Sequence, residues 1–183
     1  MKIFISGGCK NGKSTHAQRI AKIQHNQLNK LYYIATMIPK DDEDHARIER
    51  HISERKGMGF KTVELPKDII KLSGICEKNS SILLDSTTAL LSNEMFTENK
   101  FNPSAHLKIG KELNSVLDIF SDIVIVSDFI YSDSLIYDEW TEAYRKGLAY
   151  IDKICAEKCD IVLEAFYGNL IVHKGADEYK KII

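Results

Sequence analysis

The sequence predicts an α/β fold in which a mainly parallel sheet is flanked by helices, and three observations carry that prediction. Short apolar runs alternate with longer amphipathic segments, the pattern of repeated strand-helix units. The first apolar run, Lys2 to Ser6, passes directly into a glycine-rich turn and then a helical pattern. Near the end of the chain two short apolar runs meet around Gly168-Asn169, which adds an antiparallel C-terminal edge hairpin.

Taken in order, the apolar runs place strands at 2–6, 31–36, 60–64, 81–85, 122–127 and 160–166, with a final strand at 169–173. Amphipathic periodicity places helices at 13–27, 43–56, 67–77, 87–96, 104–119 and 139–158. The run Asp41-Asp42-Glu43-Asp44 suits the N-terminus of the second helix, where negative charge meets the positive end of the helix dipole. Thr97 to Pro103 is polar and holds one of three prolines, so it is expected to be a mobile surface loop. No repeat, low-complexity tract or linker interrupts the chain, and residues 1–183 are expected to form a single nucleotide-binding domain.

Composition narrows the function classes. With 183 residues and 44% hydrophobic content the chain can bury one substantial core. Charged residues make up 28% and nearly cancel, to a formal net charge of -1, so there is no global positive field for nucleic acid. The N-terminal apolar run is too short for a secretory segment, and no stretch approaches the roughly 20 apolar residues that span a bilayer. The expectation is a cytoplasmic protein with no nucleic-acid partner and no membrane span. Cys9, Cys76, Cys155 and Cys159 lack the paired spacing of a metal site and are expected to be free thiols.

The chemistry begins at Gly7-Gly8-Cys9-Lys10-Asn11-Gly12-Lys13-Ser14, which fits the phosphate-loop pattern G-x-x-x-x-G-K-[ST]. Its glycines let the backbone turn around an anion without a Cβ in the way. Successive N–H groups and the helix N-terminus can then converge on phosphate oxygens. The fold class is therefore P-loop NTPase-like, and a nucleoside triphosphate, ATP or GTP, is the expected partner. Lys13 is expected to neutralise the β- and γ-phosphates, Ser14 to coordinate Mg²⁺, and Thr15 to lie beside the α-phosphate. A second carboxylate for the metal is expected at the end of a buried strand, and Ile82-Leu83-Leu84-Asp85 supplies one. Asp85 can equally cap the following helix, and the two roles are compatible.

Arg47, His51 and Arg55 follow the acidic run at four-residue spacing and share one helix face. Neighbouring guanidinium groups disfavour the imidazolium form, so His51 is expected to be neutral near pH 7 and available as a nucleophile toward a nucleotide α-phosphate. Periodicity alone leaves a second reading open, that of an ordinary solvated face.

These residues resemble the bifunctional adenosylcobinamide kinase/adenosylcobinamide-phosphate guanylyltransferase family of cobalamin biosynthesis. The resemblance runs through Gly7 to Ser14, His16-Ala17, Tyr33-Ile34-Ala35-Thr36, Asp41-Asp42-Glu43 and Ala46-Arg47-Ile48-Glu49-Arg50-His51. It continues through Thr62-Val63-Glu64-Leu65-Pro66, Leu84-Asp85, Thr88 and Leu91-Ser92-Asn93, covering roughly the first half of the chain in the family's order. It implies that His51 is the guanylylated nucleophile and that Thr36, Arg55, Glu64 and Asp85 belong to the nucleotide site. It also implies phosphorylation of a cobinamide hydroxyl followed by GMP transfer, ATP and GTP as substrates, a corrinoid acceptor, and a homo-oligomer, commonly a trimer.

The second half departs from the family pattern, which bears on the acceptor site. Ser127-Asp128-Phe129-Ile130 stands where the family has Asn-Glu-Val-Gly, Glu142 replaces an arginine, Ala149 a glycine and Asp152 an asparagine, while Tyr144-Arg145 keeps an aromatic-basic pair. Two other functions fit the phosphate loop: a small-molecule kinase without nucleotidyl transfer, and a nucleotide-binding regulatory module without acceptor chemistry. A switch GTPase fits less well, because the chain has no Asn-Lys-x-Asp motif.

Overall fold

Strand order decides where a parallel sheet binds its ligands. The structure, a computed structural model, describes residues 1–26, 28–97 and 100–182. The sheet strands are β1 (Lys2–Gly7), β2 (Leu31–Ala35), β3 (Phe60–Glu64), β4 (Ser81–Asp85), β7 (Ile123–Val126), β8 (Ile161–Phe166) and β9 (Asn169–Lys174). A two-residue pair, β5 (Phe96–Thr97) with β6 (Lys100–Phe101), stands apart. The helices are α1 (Lys13–Gln24), α2 (Asp42–Glu54), α3 (Leu72–Ile75), α4 (Thr87–Met95), α5 (Ala105–Ile119), α6 (Glu139–Lys158) and α7 (Ala176–Tyr179).

The seven strands lie in the order β3-β2-β4-β7-β1-β8-β9, all parallel except β9. Apolar runs make the central strands β2, β4, β7 and β1 because both faces are covered, whereas β8 carries Glu164 and alternates buried with half-open positions. Alternate residues then serve opposite layers. Phe4, Ile34, Leu84 and Ile125 pack toward the core built with α4, α5 and α6, whereas Ile5, Tyr33, Leu83 and Val126 face α1 through Ala17, Ile20 and Ala21. The loops after β1, β4 and β7 consequently open at one edge, the carboxyl end of three adjacent strands, where ligands bind in such sheets.

Several expectations shift in detail. The hairpin between β8 and β9 turns on Tyr167 and Gly168, both at positive φ (47° and 77°), so it sits one residue earlier than Gly168-Asn169. The helix expected at 67–77 is broken: Asp68 adopts φ 54°, a 3-10 turn spans Ile69–Lys71, and only Leu72–Ile75 is α-helical. Asp68 is held there by Lys71 (2.9 Å), by Lys108, and through its own N–H by Glu94 (2.9 Å), tertiary contacts that a periodicity argument does not contain. The polar stretch at 97–103 is bracketed by the β5–β6 pair, and Glu98 and Asn99 within it lie outside the described residues. So does Gln27, where periodicity places the end of the first helix.

Two local features fix the site's frame. Asp41 caps α2 by accepting from the Asp44 N–H at 2.9 Å, as the acidic run predicts. The segment between β7 and α6 is stapled by buried Arg145, which donates to Ile130 O, Asp133 O and Leu135 O and pairs with Asp133 (3.1 Å) and Glu142 (2.7 Å). Glu142, a departure from the family pattern, is therefore a partner for that guanidinium. The four cysteines are free thiols, Cys9 exposed and the others buried. No described helix is long and apolar enough to cross a membrane.

Candidate active site

The turn from β1 into α1 is shaped by close backbone approach. A Cβ at Gly7 would stand 2.4 Å from the Ala165 carbonyl oxygen on β8, so only glycine fits where the loop leaves the sheet. Gly8 is similarly close to the Asn11 side chain, and Gly12 takes φ 80° at the helix cap. Cys9 to Thr15 then line a cavity of about 460 Å³. That volume lies within the usual range for small-molecule sites.

Lys13 is buried at the floor of this cavity. Its ammonium donates to the Gly8 carbonyl at 2.7 Å and pairs with Asp128 at 2.7 Å. Asp85, at the end of β4, is also largely buried; it accepts from the Tyr33 hydroxyl at 2.9 Å and lies 3.9 Å from His51 Nδ1. The opposite wall comes from α2, which contributes Arg47, Arg50, His51 and Glu54. Thr15 touches this wall, its hydroxyl 3.4 Å from Glu54.

A second cavity of about 440 Å³ adjoins the first and shares Arg47, His51, Asp85, Ser86 and Asp128 with it. Its own lining includes Tyr33, Ile48, Arg55, Glu64 and Tyr144. Arg55 lies just past the end of α2, stacked 4.1 Å over the Tyr33 ring and 3.3 Å from the Thr62 hydroxyl. Arg47 and His51 thus stand at the seam, while Arg55 and Glu64 belong to the second cavity alone.

Burial lowers the His51 pKa from its ordinary value. The Asp85 carboxylate opposes that effect, Arg47 reinforces it, Glu54 opposes it and Arg50 reinforces it. The direction agrees with a neutral imidazole at pH 7, but the causes differ from the sequence argument: burial dominates, and the second guanidinium is that of Arg50 in place of Arg55. Thr36 is fully buried and lines neither cavity. Its hydroxyl donates to the Ser86 carbonyl (2.8 Å) and accepts from the Ser86 N–H (2.7 Å), so it fixes the start of α4 behind the site.

Ser14 and Asp85 line the same cavity, as a Mg²⁺ site would need. Among the described residues no cluster of three or more His, Cys, Asp or Glu side chains forms a ready-made cation site. The Ser14 hydroxyl and the Asp85 carboxylate are oxygen donors, the kind that suits a cation keeping phosphate and water oxygens as its other ligands, the usual habit of Mg²⁺.

Sequence reasoning does not single out Asp128 as a site residue, although its place after an apolar strand, like that of Asp85, is a usable signal. Behind it, Asp152 on α6 is buried, with Tyr131 donating to Oδ2 at 3.0 Å and Oδ1 left without a partner among the described residues. Burial pushes this carboxyl up to about 7 from the ordinary 3.8. Because the folded-state pKa is raised, the folded chain retains a proton that the unfolded chain gives up. Asp152's contribution to stability is then fully present below about pH 4 and is lost as pH rises toward about 7, by up to roughly 1.4 kcal/mol per pH unit. Asp152→Asn is expected to flatten this dependence, measured as urea midpoints from pH 4.5 to 8; an unchanged slope would place the titration elsewhere.

Residues 3–172 match the family model of cobinamide kinase / cobinamide phosphate guanyltransferase, CobU. The bifunctional adenosylcobalamin biosynthesis protein CobU of Escherichia coli (strain K12) is 33% identical over 97 residues, 52% of this chain and 51% of that protein. Its namesake in Salmonella typhimurium (strain LT2) is 31% identical over 97 residues, again 52% and 51%. The matched stretch thus spans about half the length of these relatives. Among solved structures, the flagellar accessory protein FlaH from Methanocaldococcus jannaschii superposes with a TM-score of 0.51 at 14% identity, over 94% of this chain and 77% of that one. At that identity the likeness is one of fold.

Proposed function

The chain belongs to the cobinamide kinase / cobinamide phosphate guanyltransferase family, and from that premise we propose that it phosphorylates adenosylcobinamide and then transfers GMP to the product through a guanylyl-histidine. The observation that carries this reading is the position of His51, on the wall shared by the phosphate-loop cavity and its neighbour. One imidazole there can meet a nucleotide on one side and an acceptor on the other.

In the first step the loop amides and Lys13 hold the β- and γ-phosphates, and catalysis is chiefly electrostatic positioning. Ser14 and Asp85 would hold Mg²⁺, which supplies further charge neutralisation at the phosphates. In the second step a neutral His51 attacks the α-phosphorus of GTP. A nitrogen–phosphorus bond forms, the bond to the bridging oxygen breaks, and pyrophosphate departs with the electron pair. Asp85, 3.9 Å from Nδ1, is too far for a hydrogen bond but close enough to favour a proton on that nitrogen, leaving Nε2 to attack. The acceptor phosphate then displaces histidine and takes the GMP.

Incubation with α-labelled GTP and Mg²⁺ tests the proposal. The expected result is a protein-bound label, acid-labile and base-stable as a phosphoramidate is, discharged by cobinamide phosphate. Transfer of γ-phosphate to cobinamide with no bound label would instead mark a kinase alone. Tight GTP binding with neither reaction would mark a regulatory module.

A further inference from the structure

Asp85 and Asp128 are the two acidic side chains that line both cavities among the described residues. Asp85 is engaged by the Tyr33 hydroxyl and stands with Ser14 where a cation would sit. Asp128 has a different setting. Its carboxylate lies 2.7 Å from the Lys13 ammonium, the group placed to receive the γ-phosphate, and its side chain keeps 17% of its surface open to the seam. The backbone around it is tied at three consecutive points. Ser127 N–H donates to Ile5 O (3.0 Å), Asp128 N–H to the Thr88 hydroxyl (2.8 Å) and Phe129 N–H to Gly7 O (2.8 Å). A carboxylate so fixed beside the phosphate-binding lysine, and facing the second cavity, has the placement a general base needs.

We propose that Asp128 is the catalytic base of the phosphoryl-transfer step, orienting the acceptor hydroxyl and taking its proton as the γ-phosphate is transferred. This rests on the kinase half of the function proposed above. As the acceptor oxygen bonds to the γ-phosphorus, its proton passes to the Asp128 carboxylate. The bond from the γ-phosphorus to the β,γ-bridging oxygen breaks, and the electron pair leaves with the nucleoside diphosphate. Phosphate oxygens compete with Asp128 for the Lys13 ammonium, so nucleotide binding frees the carboxylate for the hydroxyl. His51 faces the same seam but serves the other transfer, which gives the two chemistries separate proton and phosphorus acceptors.

The test uses the full chain with γ-labelled ATP, Mg²⁺ and cobinamide. Asp128→Asn is expected to lower kcat roughly 100-fold, the scale of general-base catalysis, with the KM for nucleotide changed less than about threefold. Asp128→Glu, which restores a carboxylate, is expected to recover to within about tenfold of wild type. A normal kcat in Asp128→Asn would overturn the assignment. So would a raised nucleotide KM at unchanged kcat, which would make Asp128 a support for Lys13, or a raised Mg²⁺ requirement, which would make it a metal ligand. If wild type transfers nothing to cobinamide, the acceptor reading fails by itself. Hydrolysis of γ-labelled ATP, with water in place of the hydroxyl, then carries the same comparison of Asp128→Asn and Asp128→Glu.

Discussion

His51→Ala is expected to abolish covalent labelling by α-labelled GTP, a loss of at least about a thousandfold, because no other described side chain offers the same nucleophile at the seam. The imidazole stands beside Arg47 and Asp85, and burial keeps it in the neutral form that carries a free lone pair. The helix that bears it contributes no side chain to the hydrophobic core, so truncating the ring removes little core packing. Loss of label should therefore come without loss of fold, and a thermal melt within a few degrees of wild type checks this. Phosphoryl transfer to cobinamide should survive in the same variant, since the proposed kinase step uses Lys13 and Asp128. Label that persists in His51→Ala would remove this residue from the mechanism.

Lys13→Ala is expected to reduce phosphoryl transfer on the order of a thousandfold, the scale seen when a preorganised charge-stabilising group is deleted. The ammonium is buried between the Gly8 carbonyl and the Asp128 carboxylate, at 2.7 Å from each. Its removal takes away the cation that would meet the γ-phosphate and leaves Asp128 unpaired, so nucleotide affinity should be altered as well. Lys13→Arg is expected to rescue poorly, because a planar, forked guanidinium does not reproduce a compact point charge between two close acceptors. Single-turnover transfer from γ-labelled ATP measures the effect. A rate within tenfold of wild type would mean that the loop amides alone suffice.

Lys13 and His51 are positioned in different ways. Lys13 belongs to a turn fixed by backbone geometry at the end of β1, and His51 to a helix standing off the core and capped by Asp41. The sheet order brings the ends of β1, β4 and β7 to one edge, so Lys13, Asp85 and Asp128 converge although they are far apart in sequence. Ser86, held from behind by Thr36, lies on the wall that the two cavities share.

Local signals are enough for most of the fold. Uninterrupted apolar runs mark the buried strands, amphipathic periodicity marks the helices, and the spacing from Gly7 to Ser14 marks the turn that opens into the first cavity. The helix expected at 67–77 fails because Asp68 is captured in a left-handed conformation by Lys108 and Glu94, which come from other elements. Neighbouring residues in the chain carry no record of such distant partners.

The sequence by itself therefore determined the alternating architecture and the glycine-rich turn from β1 into α1, since each depends on short-range spacing and backbone stereochemistry. Only the tertiary structure decided that Thr36 supports the site from behind, that Arg55 faces the second cavity and that Asp128 meets Lys13. Those placements depend on which strands lie side by side, and that order is set by packing both faces of the sheet at once.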